Sequence, residues 1–240
     1  MDDAIPVAAR MRRFARYLDR FLFTMTYTGL RSRLRALVVG LAAAFLLGLG
    51  AAPALGQSAQ NDAAAEIEQM LKERDQQIKS ILRGSTDYTQ EQREELKTLI
   101  NGVIDFRAMA QTALGPFWSD LSSDQRSEFL SVFRDVVRAQ SLADLEVYNS
   151  KVTYGAIAVE NDSAFVRTTT AYQGTSTPVE YVLKRKDDAW LAEDIIIDDV
   201  STAESYARSY QTFMRKRGFD ALMKVLQKKR DEAMAKNQSD

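Results

Sequence analysis

The residues of this chain that could do chemistry are carboxylates, because the sequence contains no His and no Cys. Their absence excludes disulfides, thiol nucleophiles, Cys-based zinc or iron–sulfur sites, Ser-His-Asp triads and nearly all catalytic zinc sites. What remains is an acidic group, Glu193, Asp194, Asp198 and Asp199, within residues 190–200, which otherwise read as a strand. Asp194 alternates with Trp190 and so could face an apolar cavity, where desolvation raises a carboxyl towards the range of a general base. Cone-shaped α+β isomerases and hydrolases use an Asp in this way. The plainer reading makes Asp194 a hydrogen-bonded structural residue and the others solvated charges, and that is the expectation adopted. Spacing alone does not exclude acid-pair glycosidase chemistry. The stretch lacks the ligand order of an EF-hand calcium loop, and no metal or cofactor is called for.

These carboxylates sit on the last of four expected strands, at 152–158, 165–172, 179–183 and 190–200. Polar turns at 160–162, 174–176 and 186–188 join them, and connections this short require antiparallel neighbours. Ahead of the sheet, Asp62 is expected to cap a helix carrying Ile67, Leu71, Ile78 and Leu82, which ends at Gly84. Thr89 with Gln92, and Ser122 with Gln125, spell capping boxes. Asp105 caps a short helix that Gly115-Pro116 ends. The helix opened at Ser122 carries Phe129, Phe133, Val136, Val137, Leu142 and Leu145 and is expected to reach about Tyr148. After the sheet, Ser201 with Glu204 opens a helix holding Tyr206, Tyr210, Phe213 and Met214; Gly218 ends it and Asp220 starts the last one. This order predicts an α+β single domain with a four-stranded antiparallel sheet, helices before and after it packed on one face, and an apolar cavity between the layers.

Arg31, Arg33 and Arg35 precede an uncharged run from 36 to 52, and small residues follow at Ala52, Ala54 and Gly56. That is the order of a secretory signal. The expected organisation is a signal peptide over 1–56, cleaved after Ala54 or Gly56, a linker at 57–62, an α+β domain over 63–235 and a disordered tail at 236–240. An uncleaved anchor is the alternative, since the apolar run approaches the roughly 20 residues that a span needs. Loss of 1–56 leaves 24 basic and 30 acidic side chains, a net charge near −6. Nucleic-acid binding needs a basic footprint and falls away. An acidic domain is also repelled by an anionic membrane surface, so brief docking on a protein partner is the easier expectation.

The order of the apolar and charged residues is similar to that of a known family. Asp105-Phe106-Arg107-Ala108-Met109-Ala110, Ala113-Leu114-Gly115, Trp118, Gln125-Arg126-Ser127-Glu128-Phe129 and Phe133 resemble the first half of the MlaC family, the toluene-tolerance auxiliary proteins. Pro178-Val179-Glu180-Tyr181-Val182-Leu183, Trp190 with Asp194, Val200-Ser201, Tyr206, Phe213 and Gly218-Phe219-Asp220-Ala221-Leu222 resemble the second half. The resemblance spans roughly residues 63–230. It implies a monomeric periplasmic carrier, with no catalytic activity, that moves phospholipid between an inner-membrane ABC transporter complex and an outer-membrane lipoprotein–porin complex. A similar subgroup is associated with hopanoid lipids. Where the family has a Thr-Tyr pair in the long helix, this chain has Gln140-Ser141.

Such a carrier has a physical task. Two acyl chains hold on the order of 30 methylenes, and exposing them to water costs up to roughly 24 kcal/mol. A lining of aliphatic and aromatic side chains must replace that exposure. The candidates are Met109, Phe133, Val137, Leu145 and Tyr148 ahead of the sheet; Val152, Val166, Thr168, Val179, Tyr181, Leu183, Ile195 and Ile197 within it; and Tyr206 and Phe213 after it. Lining residues have room on one side, so Val179→Trp or Val166→Trp is expected to displace lipid with little loss of apo stability. The competing readings are the cone-shaped enzyme, a hopanoid-specific carrier and an envelope adaptor with no ligand.

Overall fold

Capping and periodicity place the helices, as the sequence suggests, but their ends and packing differ. The structure is a computed structural model that describes residues 54–83 and 88–239. It contains α1 (Ala54–Leu82), α2 (Gln90–Asn101), α3 (Phe106–Leu114), the single turn α4 (Phe117–Asp120) and α5 (Ser123–Ser141). A 3₁₀ turn (Leu145–Asn149) leads into the sheet, and α6 (Thr202–Ser239) follows it. Both capping boxes form: Thr89 and Ser122 each accept the N–H three residues on, at 3.2 Å, while Gln92 and Gln125 reach back at 2.9 Å. The expected signal peptide lies almost wholly outside the described residues. α1 already begins at Ala54, so residues 57–62 are helical rather than a linker and Asp62 is no cap. Ala59 and Ala63–Ala65 are strong helix formers and favour continuation. The expected tail is likewise helical as far as Ser239. α5 stops at Ser141 instead of about Tyr148, because Asp144 takes an extended conformation (φ −143°, ψ 87°) that no helix passes through. Gly218 (φ 76°, ψ 179°) breaks α6 where the sequence ends one helix and begins another.

The sheet has five strands rather than four, β1 (Lys151–Glu160), β2 (Ser163–Tyr172), β3 (Thr175–Lys186), β4 (Ala189–Ile197) and β5 (Val200–Ser201), in simple antiparallel order. The expected fourth strand splits because Asp198 and Asp199 both adopt left-handed backbone (φ 52° and 64°). Two successive left-handed residues between paired Ile197 and Val200 make the two-residue hairpin that matches strand twist. Gln173 and Gly174 do the same between β2 and β3 (φ 47° and 78°), so that turn sits one residue earlier than expected.

Two bulges reset the faces. Between Tyr154 and Ile157 the β1–β2 register shifts, so Ile157 and Val159, rather than Ala156 and Ala158, share a face with Tyr154. On β4 the register shifts opposite Val182 and Leu183. One sheet face therefore carries Val152, Tyr154, Ile157 and Val159; Ala164, Val166, Thr168 and Thr170; Val179, Tyr181 and Leu183; and Trp190, Ala192, Ile195 and Ile197. The other carries Arg167 and Glu180, paired across strands at 3.2 Å.

The helices do not all cover that apolar face. Ile67 and Leu71 of α1 pack on Ala164, Val166, Leu183, Trp190 and Ala192. Farther along α1, Ile78 and Leu82 pack with Leu96 and Ile100 of α2. α3, α5 and α6 build a separate core of Met109, Leu114, Phe129, Phe133, Tyr206, Tyr210 and Leu222, to which no strand contributes a buried residue. This departs from the expected single layer of helices. β4 is the hinge between the two cores: Ala192 exchanges backbone hydrogen bonds with Val103 (2.6 Å) and Asp105 (2.8 Å), so the α2–α3 link lies along the strand's free edge.

Candidate functional site

The fifteen candidate lining residues separate into distinct environments. Met109, Phe133, Val137 and Tyr206 are buried in the helical core, with Phe213 packed against it. There Phe133 stacks on Phe129 (5.6 Å) and meets Tyr206 edge-on (5.1 Å). Val166 and Leu183 are buried under α1, with Tyr181 and Ile195 half-buried beside them. Leu145 and Tyr148 flank the α1–α2 core. Val152 and Ile197 are half-buried, and Val179 and Thr168 buried, at the end of the sheet next to the 3₁₀ turn. None of these four is a member of the three packed clusters. Thr168 hides its polarity by donating to the Val179 carbonyl at 2.6 Å.

Between α1, the 3₁₀ turn and the sheet stands a group of tyrosines. Tyr181 lies near enough to both Tyr148 and Tyr154 to oppose the ionisation of each. Burial pushes the Tyr181 phenol up to about 12, helped by the Asp75 charge. It also raises Tyr148 and Tyr154. Yet all three keep part of their surface uncovered by protein. Tyr148 donates to the Ser141 carbonyl at 3.0 Å. Sequence reading passed over Tyr154, although its alternation with Val152 carried the signal.

The acidic group is dispersed. The β4 bulge sends Asp194, opposite Val182, to the face away from Ala192 and Leu183, so the alternation with Trp190 that suggested a cavity-facing base does not hold. Its Oδ1 accepts the N–H groups of Ile195 and Ala203 at 2.9 Å, and Oδ2 accepts the Ser201 hydroxyl at 2.6 Å. Ser201 in turn accepts the Glu204 N–H at 3.0 Å, capping α6. Asp194 is thus a brace between β4 and α6. Glu193 lies 3.8 Å from Lys186, and Asp198 and Asp199 form the hairpin. Among the described residues no cluster of acidic side chains has the makings of a metal site.

Gln140-Ser141, the departure from the Thr-Tyr pattern, occupies a junction. Gln140 accepts the Tyr206 hydroxyl. Ser141 lies 2.8 Å from Asn101 Oδ1, and its carbonyl receives Tyr148. The pair joins the end of α5 to α2, α6 and the 3₁₀ turn that carries Tyr148. A separate trough of about 360 Å³, lined by Glu66, Gln69, Met70, Glu73, Arg74 and Gln77, lies along one side of α1. Five of its six lining residues are polar or charged, unlike the expected cavity.

Comparison with known families matches residues 59–228 to one described as MlaC protein. The chain belongs to the MlaC family. Among solved structures, the MlaC-family fold seen here is similar to a phospholipid-binding protein from Ralstonia solanacearum, determined in complex with a phospholipid. The TM-score is 0.60 at 21% identity, over 72% of this chain and 98% of that one. A comparison with curated protein sequences finds no match. Among the described residues of this MlaC-family chain, no helix is long and apolar enough to cross a membrane.

Proposed function

We propose that this protein binds a phospholipid, seating its acyl chains against the apolar sheet face, and ferries it through the periplasm. The observation that carries this reading is the match to the MlaC family over 59–228. The phospholipid in the Ralstonia solanacearum neighbour supports it. The end of the sheet, where Val179 is buried and Val152 and Ile197 half-buried, supports it on physical grounds, since those three apolar side chains belong to none of the packed clusters. The inner-membrane ABC transporter complex and the outer-membrane lipoprotein–porin complex are the partners that family membership suggests.

In this reading the protein is a carrier rather than an enzyme. Asp194, the residue best placed by sequence to be a base, spends its carboxylate on three hydrogen bonds within the fold. Export would remove the segment up to Ala54 or Gly56. Solvent extraction of protein purified from the cell envelope, followed by lipid mass spectrometry, tests the function. Phospholipid in near-stoichiometric amount is expected; polycyclic lipid in its place would favour the hopanoid subgroup, and an empty protein would sink the carrier reading. N-terminal sequencing of the same sample should begin at Leu55 or Gln57.

A further inference from the structure

Charge is divided unevenly along this chain. Residues 57–201 hold 15 basic and 25 acidic side chains, whereas residues 202–239, which form α6, hold nine basic and four acidic. The net charge near −6 thus combines a strongly acidic body with a basic last helix. Some cations of α6 are neutralised nearby: Arg208 lies 3.6 Å from Glu204, Lys228 3.7 Å from Glu232 and Arg230 2.8 Å from Asp231. Arg215, Lys216 and Arg217 are not, and among the described residues none of the three pairs with a carboxylate. Arg215 donates to the Thr212 hydroxyl oxygen at 3.0 Å, and Arg217 stands over the Phe213 ring, 5.9 Å from its centroid.

The three cations occupy an elbow. A helix packed along one side buries a residue every three or four positions, yet no residue of α6 between Met214 and Leu222 is buried, and residues 215–218 are exposed around a full turn. Gly218 (φ 76°, ψ 179°) bends the helix here, and a Cβ on it would meet nothing within 4 Å. The elbow therefore stands clear of the body, with Phe213 and Phe219 half-buried on either side of it.

We propose that this elbow docks on an anionic lipid surface. The proposal goes beyond the carrier reading and does not depend on it. Three features favour a bilayer over the acidic face of a folded protein. Successive helical side chains diverge by about 100°, so the cations fan out over a convex knuckle; mobile headgroups can gather round it, whereas fixed carboxylates meet one side only. The flanking phenyl rings suit the boundary between headgroups and acyl chains. The elbow also projects, and the body's negative charge is screened beyond a Debye length of about 8 Å, so local charge governs docking where the whole-molecule average opposes it.

The test sediments protein from the cell envelope with vesicles of phosphatidylcholine and phosphatidylglycerol in equal parts, or of phosphatidylcholine alone. Wild type should bind the anionic vesicles only, and lose most binding between about 0.05 and about 0.5 M salt. Each cation at such a surface strengthens binding roughly fivefold. Arg215→Gln, Lys216→Gln and Arg217→Gln combined should therefore weaken it about a hundredfold with melting temperature unchanged, and Lys216→Glu alone about twentyfold. A charge-matched control combines Lys72→Gln, Lys97→Gln and Arg167→Gln, all cations paired with carboxylates elsewhere on the molecule, and should stay within about threefold of wild type. No adsorption of wild type, or an equal loss in the two triple variants, would overturn the proposal. Binding to soluble polyglutamate but not to vesicles would assign the elbow to an acidic protein face and overturn it as well. None of these outcomes touches the lipid content of the purified protein, so failure here is distinct from failure of the carrier reading.

Discussion

Single side chains connect the layers of this protein, and Asp105 shows how. It caps α3 by accepting the Ala108 N–H at 2.9 Å and also pairs with Lys186 at the end of β3. Burial alone would raise its carboxyl, but the Lys186 ammonium and the cap N–H groups hold it below the usual carboxylate value. A depressed carboxyl contributes stability that is present above the unfolded value near 4 and is lost as pH falls through the folded value. Asp105→Asn should therefore cost about 1–2 kcal/mol in urea unfolding at pH 7, and the gap to wild type should shrink below about pH 4. A gap independent of pH would mean the charge is irrelevant. Tyr181 has the opposite sign: its raised phenol contributes stability that is intact below pH 10 and fades as pH rises towards about 12. Unfolding scans between those values should show wild type losing ground to Tyr181→Phe.

At the scale of elements, the corner from β4 through β5 to α6 depends on the Asp194 brace. Asp194→Asn keeps the shape but replaces one of two accepting oxygens with an NH2 donor, so stability should fall by about 1–3 kcal/mol, while lipid occupancy at saturating lipid stays unchanged. Full stability combined with loss of turnover of some small substrate would revive the enzymatic alternative. The neighbouring hairpin makes a second test, because its left-handed Asp199 (φ 64°) is a conformation that Gly adopts freely. Asp199→Gly should raise the melting temperature slightly, and a clear drop would show that the Asp side chain itself stabilises the turn.

For the molecule as a whole, the separation into three cores turns an expectation that treated Val166 and Val179 alike into a contrast. Val166 is 0% exposed and wedged under Ile67 and Leu71, whereas Val179, also shielded, is a member of no packed cluster. Val166→Trp should destabilise the fold by about 1–3 kcal/mol or more through overpacking. Val179→Trp should leave melting nearly unchanged and sharply reduce co-purified lipid. Should Val179→Trp unfold the protein as readily as Val166→Trp, that end of the sheet is ordinary core. Phe133→Ala, in the aromatic core of α5 and α6, should cost about 3–5 kcal/mol with or without lipid.

Local chemistry was legible from the residues alone. Thr89 with Gln92, Ser122 with Gln125, the Asp105 cap and the breaks at Gly115 and Gly218 depend on neighbours within a few positions, so the sequence by itself determined them. The absence of His and Cys likewise narrowed the chemistry before any fold was considered, and the ordered residues from Asp105 to Leu222 carried the family. Tertiary structure alone decided the rest. A β-bulge is chosen by how two strands pair, and nothing near Glu193 announces that Asp194 turns to the far side while Ile195 and Ile197 rejoin the apolar face. The division of apolar stripes among three cores was equally hidden, since periodicity states that a face is buried but not against what. The grouping of Tyr148, Tyr154 and Tyr181 near Asp75 arises from α1, a 3₁₀ turn and two strands brought together from distant positions, and only the packed chain makes those residues neighbours.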